Sequence, residues 1–489
     1  MLDAPPQPLV QIDPGSFAPR AAPSGGAPAL PALDRQSRLT GDLHVLPLEG
    51  ERYLIYAPLR RAAFIGNASM VRVLRAVDEG RDPSTLDPQG QVISLLQRLQ
   101  MLDAGAETLP PEANQGAPQP GVATLLLTTA CNLRCTYCYA SAGDTALEFM
   151  SMDVARNGID HVVGNALRLG LPYFGVAFHG GGEPTANWKV LVGAVEYALE
   201  QTAQHGIGAH FNLTTNGVFS EEKAAWIAQH IHSVSVSFDG VPGMHDAHRK
   251  QADGSGSSEI VERSLRVLTE RGVKYGIRMT VTADQIGALP DSVDYICRNF
   301  RPVTILVEPI YQMGRGERLA QAESELFIEA FRQARGRARS YGHALQFSGA
   351  RLGIVSRHFC GVTQDNFCLS AKGNVSACYE VFSETSQWAS KFFYGRPTGK
   401  PGEYFVDLQA LEGLRAQTVE RRSFCDGCFA KWTCGGDCYH KALTTNGDAD
   451  YRGAGRCHVI RELTKDMILD RISSSGGLFW HEPVEAPHA

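Results

Sequence analysis

The chain has 489 residues, 43% hydrophobic and 20% charged, with 46 Lys and Arg against 52 Asp and Glu. That length exceeds one compact core and predicts two or three domains. The net charge of −6 lacks the basic surplus of nucleic-acid binders, and no apolar run is long enough to span a membrane.

The N-terminal stretch, rich in Pro, Ala and Gly, has no charged segment followed by an apolar one. It is read as a flexible leader over 1–41 and not as a secretory signal. A cytoplasmic location follows. Thiols stay reduced there, so twelve cysteines point to metal before disulfides.

Residues 42–108 predict a small module. DLHVLPL, RYLIYAP and RAAFIG read as three strands, and SMVRVLRAVDEG and QGQVISLLQRLQML as helices, with Asn67 an N-cap. Strands followed by helices in so small a unit predict a winged-helix-like arrangement. The Pro/Gly-rich stretch 109–121 reads as a linker. From 122 to 350, six strands (VATLLLT, YFGVAFH, AHFNLTT, SVSVSF, KYGIRMTVT, VTILVEP) alternate with amphipathic helical stretches. This predicts an α/β fold with a parallel sheet, open or closed into an incomplete barrel. Beyond about 350 the periodicity weakens and cysteines crowd together. Residues 351–475 are taken as a cysteine-rich domain and 476–489 as a tail.

TLLLTTACNLRCTYCYA places Cys131, Cys135 and Cys138 directly after the first strand of the repeat. Loops at strand C-termini build the active site of a β/α barrel. Three thiolates can hold three irons of a [4Fe–4S] cluster and leave the fourth open. The spacing alone leaves a zinc knuckle or a structural cluster open, although structural zinc usually takes four protein ligands.

CNLRCTYC resembles the CxxxCxxC loop of the radical S-adenosylmethionine superfamily. Gly181, Gly182, Glu183 and Pro184 resemble its GGEP motif, followed in order by TTNG at 214–217, SFDG at 237–240 and HDAHR at 245–249. The resemblance implies a partial (β/α)6 TIM-like barrel that reductively cleaves S-adenosylmethionine to a 5′-deoxyadenosyl radical. It implies that Gly181, Gly182 and Glu183 hold the methionine ammonium, and that Ser237 meets the ribose. Arg249 would take the methionine carboxylate, and Tyr137 would pack near the adenine. Asp239, in the SFDG element, joins this cofactor-binding set.

Residues 360–457 resemble, cysteine for cysteine, the SPASM extension of radical enzymes that modify peptides and proteins. By that resemblance Cys360, Cys368, Cys378 and Cys438 ligate one auxiliary [4Fe–4S] cluster, and Cys425, Cys428, Cys434 and Cys457 a second. Together with the first loop this makes three clusters, and Cys297 is left as a buried apolar residue. Full ligation suits electron transfer better than substrate binding.

The implied activity is oxidative maturation of a ribosomally made precursor peptide with a leader, such as a side-chain crosslink, with a flavodoxin or ferredoxin as electron donor. The 42–108 module would bind the leader by strand addition. Anaerobic sulfatase maturation is the alternative, together with a non-peptide substrate. Sulfatase maturases carry an Asp base after the cysteine equivalent to Cys378, whereas here Tyr379 and Glu380 follow. Both are expected to be the groups that remove a proton.

Overall fold

The computed structural model describes residues 37–144, 146–447 and 456–480. Most of the expected leader and residues 481–489 of the expected tail lie outside them.

Strands β1 (His44–Leu48), β2 (Arg52–Ala57) and β3 (Ala62–Asn67) form an antiparallel meander, followed by helices α1 (Ala68–Asp78) and α2 (Gln91–Arg98). Asn67 caps α1 by accepting the Met70 N–H at 3.0 Å, the role its side chain predicts. Alternation splits the strands between two cores. Ile55 and Phe64 face α1 and α2, while Leu54, Tyr56 and Ile65 join the core of the main body.

The main sheet is built from β4 (Val122–Leu126), β5 (Tyr173–His179), β6 (Gly208–Thr215), β7 (Ser233–Ser237), β8 (Tyr275–Val281) and β9 (Thr304–Pro309). All five neighbouring pairs are parallel and in sequence order. The connections are mainly helical, among them Met152–Leu169, Trp188–His205, Glu221–His230, Ser258–Glu270 and Leu289–Asn299. The result is the α/β, TIM-like core expected from the alternating pattern. Cys297 is buried in the core.

β10 (Leu345–Gln346) extends the sheet beside β9. At the other edge β11 (Phe367–Leu369), carrying Cys368, pairs in parallel with β4. β12 (Val375–Ser376), β13 (Phe393–Pro397) and β14 (Tyr404–Val406) continue it antiparallel. The cysteine-rich region therefore begins as an extension of the barrel sheet, on the strand that feeds the Cys131 loop.

Two sequence expectations change. Residues 109–121 lack regular structure but are tied down. Pro110 O accepts from Arg357 Nε at 2.8 Å and Gly116 O from Arg415 Nη1 at 2.8 Å. The tail reading also fails at Leu478–Trp480, which is strand β15, antiparallel to β3. It follows the helix Arg456–Ser474, which is clamped to the helix Ser324–Ser340 by Arg332–Asp466 and Arg335–Asp470 pairs. Phe479 is 6% exposed in the main core; burying such a side chain contributes roughly 1.5–3 kcal/mol. No described helix is long and apolar enough to cross a membrane.

Candidate active site

The C-terminal ends of β4 to β9 surround a cavity of about 260 Å³. The loop leaving β4 carries Cys131, Cys135 and Cys138 into it. This loop is pinned from three sides. Asn216, after β6, donates through Nδ2 to Asn132 Oδ1 at 2.7 Å; Arg315 Nε donates to Cys135 O at 2.8 Å; Thr136 N donates to His248 O at 2.9 Å. Burial pushes the Cys131 thiol up to about 12 and the Cys135 thiol up to about 11. Thiols in such a place become stable ligands when a cation offsets their charge.

The GGEP segment turns sharply out of β5. A Cβ on Gly182 would lie 2.1 Å from Ala130 O, and one on Gly181 would lie 2.3 Å from the Phe382 ring. Only glycine allows this segment to lie against the cysteine loop, where Gly182 N donates to Thr128 O at 3.0 Å and Glu183 N to Ala130 O at 2.8 Å. Glu183 is 2% exposed. Its Oε1 accepts from Thr185 Oγ1 at 2.8 Å and Thr215 Oγ1 at 2.7 Å, and its Oε2 from Asn216 N at 2.7 Å. Burial nonetheless raises its carboxyl above the ordinary range. A buried carboxylate held by neutral donors is a fitting partner for an ammonium group.

Ser237, at the end of β7, and Tyr137 line the same cavity. Arg249 lines it too, at the end of the helix Pro242–His248. Its guanidinium is 5.2 Å from the Tyr137 ring centroid and makes two bonds to Asp239, from Nε at 2.8 Å and Nη2 at 3.1 Å. Asp239 also accepts from Thr280 N at 2.9 Å and from the Tyr137 hydroxyl. Burial opposes its charge, but Arg249 outweighs that and holds the carboxyl below the usual range. Asp239 thus stands behind the cavity wall and orients Arg249 and Tyr137.

The cysteine-rich domain roofs the cavity with Tyr379, Glu380 and Lys441. Tyr379 rests against His179, ring centroids 4.3 Å apart, and burial drives its hydroxyl far up. Glu380 Oε2 meets His440 Nδ1 at 2.9 Å. Burial alone would raise its carboxyl, but Lys441, His440 and Arg278 hold it down at about 2. The two residues expected to take a proton both line the cavity.

All twelve cysteines are free of disulfides. Cys360, Cys378 and Cys438 lie within electrostatic reach of one another, and Cys368 within reach of Cys360. Cys425, Cys428, Cys434 and Cys457 line a separate small cavity. Among the described residues only Cys378, Glu380 and His440 bring three ligand atoms within 4.8 Å of one another. Cys131, Cys135 and Cys138 line one cavity, and three thiolates suit a cluster with an open iron better than structural zinc, which usually takes four protein ligands. The thiol triplet, the Glu183 carboxylate and the glycine cradle fit a [4Fe–4S] cluster and S-adenosylmethionine.

Sequence reading missed His179, Arg278, Tyr311 and Lys441, all on the cavity wall. Arg278 carried a usable signal, being a charged residue inside an otherwise apolar parallel strand. The others had none.

The family model of the Radical SAM superfamily matches residues 125–290. Fe-coproporphyrin III synthase of Methanosarcina barkeri is 29% identical over 212 residues, 42% of this chain and 48% of that protein, so the chain spans about half the length of that relative. Mycofactocin maturase of Mycobacterium ulcerans is 30% identical over 284 residues, 54% of this chain and 69% of that protein. Among solved structures, native anSMEcpe with bound AdoMet and Cp18Cys peptide superposes with a TM-score of 0.57 at 17% identity, covering 73% of this chain and 100% of that one. That likeness is one of fold. The chain belongs to the radical SAM superfamily, among its maturases, a family that works with a [4Fe–4S] cluster and S-adenosylmethionine.

Proposed function

We propose that this protein oxidatively modifies a ribosomally made precursor peptide, installing a side-chain crosslink or a related bond. The observation that carries this reading is the shared cavity. Residues next to Cys378 and Cys438 (Tyr379, Glu380 and Lys441) face the Cys131, Cys135 and Cys138 loop across one space. A domain that could hold two auxiliary [4Fe–4S] clusters, in the manner of SPASM enzymes, thus borders the point where substrate would react. That is where an electron must leave an oxidised product.

When bound, the cluster and S-adenosylmethionine supply one electron and a 5′-deoxyadenosyl radical. The chain's own part is placement. Cys131, Cys135 and Cys138 would hold the cluster, Glu183 the methionine ammonium, Ser237 the ribose, and Arg249, fixed by Asp239, the carboxylate. Tyr137 would lie beside the adenine. Cys360, Cys368, Cys378 and Cys438 would hold one auxiliary cluster, and Cys425, Cys428, Cys434 and Cys457 the other. A flavodoxin or ferredoxin would donate the electron.

The module at 42–108 is the proposed leader-recognition unit. Strand addition there narrows to β1, because β15 already covers the outer edge of β3, and on β1 Pro47 removes one donor. Formylglycine formation is the less favoured alternative. The residue after Cys378 is Tyr379, where sulfatase maturases carry an Asp base.

The test is anaerobic reconstitution followed by incubation with S-adenosylmethionine, reductant and a short peptide encoded beside this gene. A peptide two hydrogens lighter, with 5′-deoxyadenosine released, supports the reading. Release of 5′-deoxyadenosine with every such peptide unchanged in mass would overturn it.

A further inference from the structure

The half of the cavity under the C-terminal domain holds polar groups that the cofactor-binding residues leave unused. His179, the last residue of β5, accepts the Gly180 N–H at Nδ1, 2.8 Å away. The ring proton therefore sits on Nε2, and Nε2 is buried without a hydrogen-bond partner. Burial, and then the charge of Arg278, pushes this imidazole down to about 3, so the ring is a neutral donor. Tyr311, in the loop after β9, also buries its hydroxyl without a partner. Arg278 reaches the cavity from β8 and has no side-chain hydrogen bond or ion pair among the described residues.

The carboxylates nearby are already matched. Glu380 meets His440 at 2.9 Å and lies in the field of Lys441 and, more weakly, of Arg278. Glu308 accepts from Arg456 Nη1 at 2.9 Å and from Ser348 N at 2.8 Å. Asp437 accepts from Arg456 Nε at 2.8 Å. One guanidinium with no hydrogen bond of its own and two neutral donors without any acceptor are left over. An arginine fork suits a planar carboxylate, and each further N–H or O–H satisfies another of its lone pairs. A half-buried guanidinium that makes no hydrogen bond or close ion pair among the described residues still attracts an anion, and buried donors without acceptors favour filling the subsite.

We propose that His179, Arg278 and Tyr311 form the substrate-holding half of the cavity and receive a carboxylate of the substrate, an acidic side chain of the peptide or its free carboxyl end. This rests on the peptide-maturase reading and sharpens it, because it states which chemical group enters beside the radical. The same chemistry is present on the methionine moiety of S-adenosylmethionine. Arg249, on the cysteine-loop side between Asp239 and Tyr137, is placed for that one.

The experiment uses anaerobically reconstituted holoenzyme, wild type against Arg278→Gln and Arg278→Lys, with iron content and cluster absorbance confirming intact folding. S-adenosylmethionine is titrated by calorimetry. Two acetylated, amidated tripeptides, Ala-Glu-Ala and Ala-Gln-Ala, are then titrated with the cofactor present. The acidic tripeptide is expected to bind wild type about tenfold more tightly than its amide counterpart. Arg278→Gln should erase that preference, Arg278→Lys should keep part of it, and cofactor affinity should stay within about twofold. Should Arg278→Gln not fold, Tyr311→Phe should weaken the acidic tripeptide about threefold or more.

Equal binding of the two tripeptides to wild type overturns the proposal. So does a loss of about tenfold in cofactor affinity in Arg278→Gln with the tripeptide preference kept, since the carboxylate would then be the cofactor's. Cofactor cleavage by wild type without peptide tests the enzyme reading separately. Intact cleavage with no tripeptide preference defeats this proposal alone.

Discussion

Asp239→Asn removes a charge from the centre of the site while keeping the side-chain volume. Asp239 is 3% exposed and Arg249 7%, so the substitution leaves a guanidinium buried against a neutral amide. Removing one partner of such a pair costs roughly 3–5 kcal/mol. The bonds from Thr280 N and the Tyr137 hydroxyl weaken as well, at about 1 kcal/mol each. In a domain of 150–250 residues each kcal/mol lowers the melting midpoint by about 2–4 °C, so a fall of order 10 °C is expected. The assay is anaerobic thermal unfolding of reconstituted protein followed by circular dichroism at pH 7. The folded pKa of Asp239 is depressed, so its stabilisation is present above the unfolded value of about 3.9 and is lost as pH falls through the lower folded value. At pH 7 it is fully developed. The double variant Asp239→Leu/Arg249→Met should regain part of the loss, because an apolar pair carries no unpaired charge. It should not regain affinity for S-adenosylmethionine. A single variant melting within about 2 °C of wild type, or a double variant no better than the single, would refute the reasoning.

Three further outcomes follow from the geometry. Cys135→Ala should lower iron by about four atoms per chain and abolish 5′-deoxyadenosine formation, while Cys425→Ala should spare cofactor cleavage but suppress peptide product; iron analysis and chromatography check both. Gly182→Ala places a Cβ 2.1 Å from a backbone carbonyl, so cofactor affinity measured by calorimetry should fall by about tenfold or more without a matching loss of auxiliary-cluster absorbance. His245 is fully buried, and burial pushes it down to about 4. The unfolded chain binds that proton first, so stability present above pH 6.5 declines as pH falls toward 4. Between pH 7 and 5.5 the loss is about 1 kcal/mol, and His245→Gln should flatten the slope in the same unfolding assay.

Much of this was legible in the chain. Strands such as VTILVEP and KYGIRMTVT are apolar runs of strand length between helical repeats, and they became β9 and β8 nearly to the residue. The cysteine loop and Glu183 were legible because motif order fixes which strand ends they occupy. What stayed hidden depends on contacts far apart in sequence. Three residues, Leu478–Trp480, cannot announce a strand by periodicity, and only pairing with β3 makes them one. Glu380 looked like a base because it follows Cys378, but the cations that hold its pKa down come from Lys441, His440 and Arg278. Linker residues such as Pro110 and Gly116 read as loose because their partners, Arg357 and Arg415, lie some 250 to 300 positions away.

β15 also sets an order of assembly. During synthesis the meander of β1 to β3 emerges early, yet β3 must wait with an open edge until residue 480 has left the ribosome. For most of translation that edge, beside the apolar residues of β2 and β3, is a template for any extended strand in reach. A message truncated between Cys457 and Leu478 would release a chain with every cluster cysteine in place and this edge permanently bare. Such a product would be expected to load iron and then aggregate. Strand β15 thus acts as a completion check on the meander of β1 to β3.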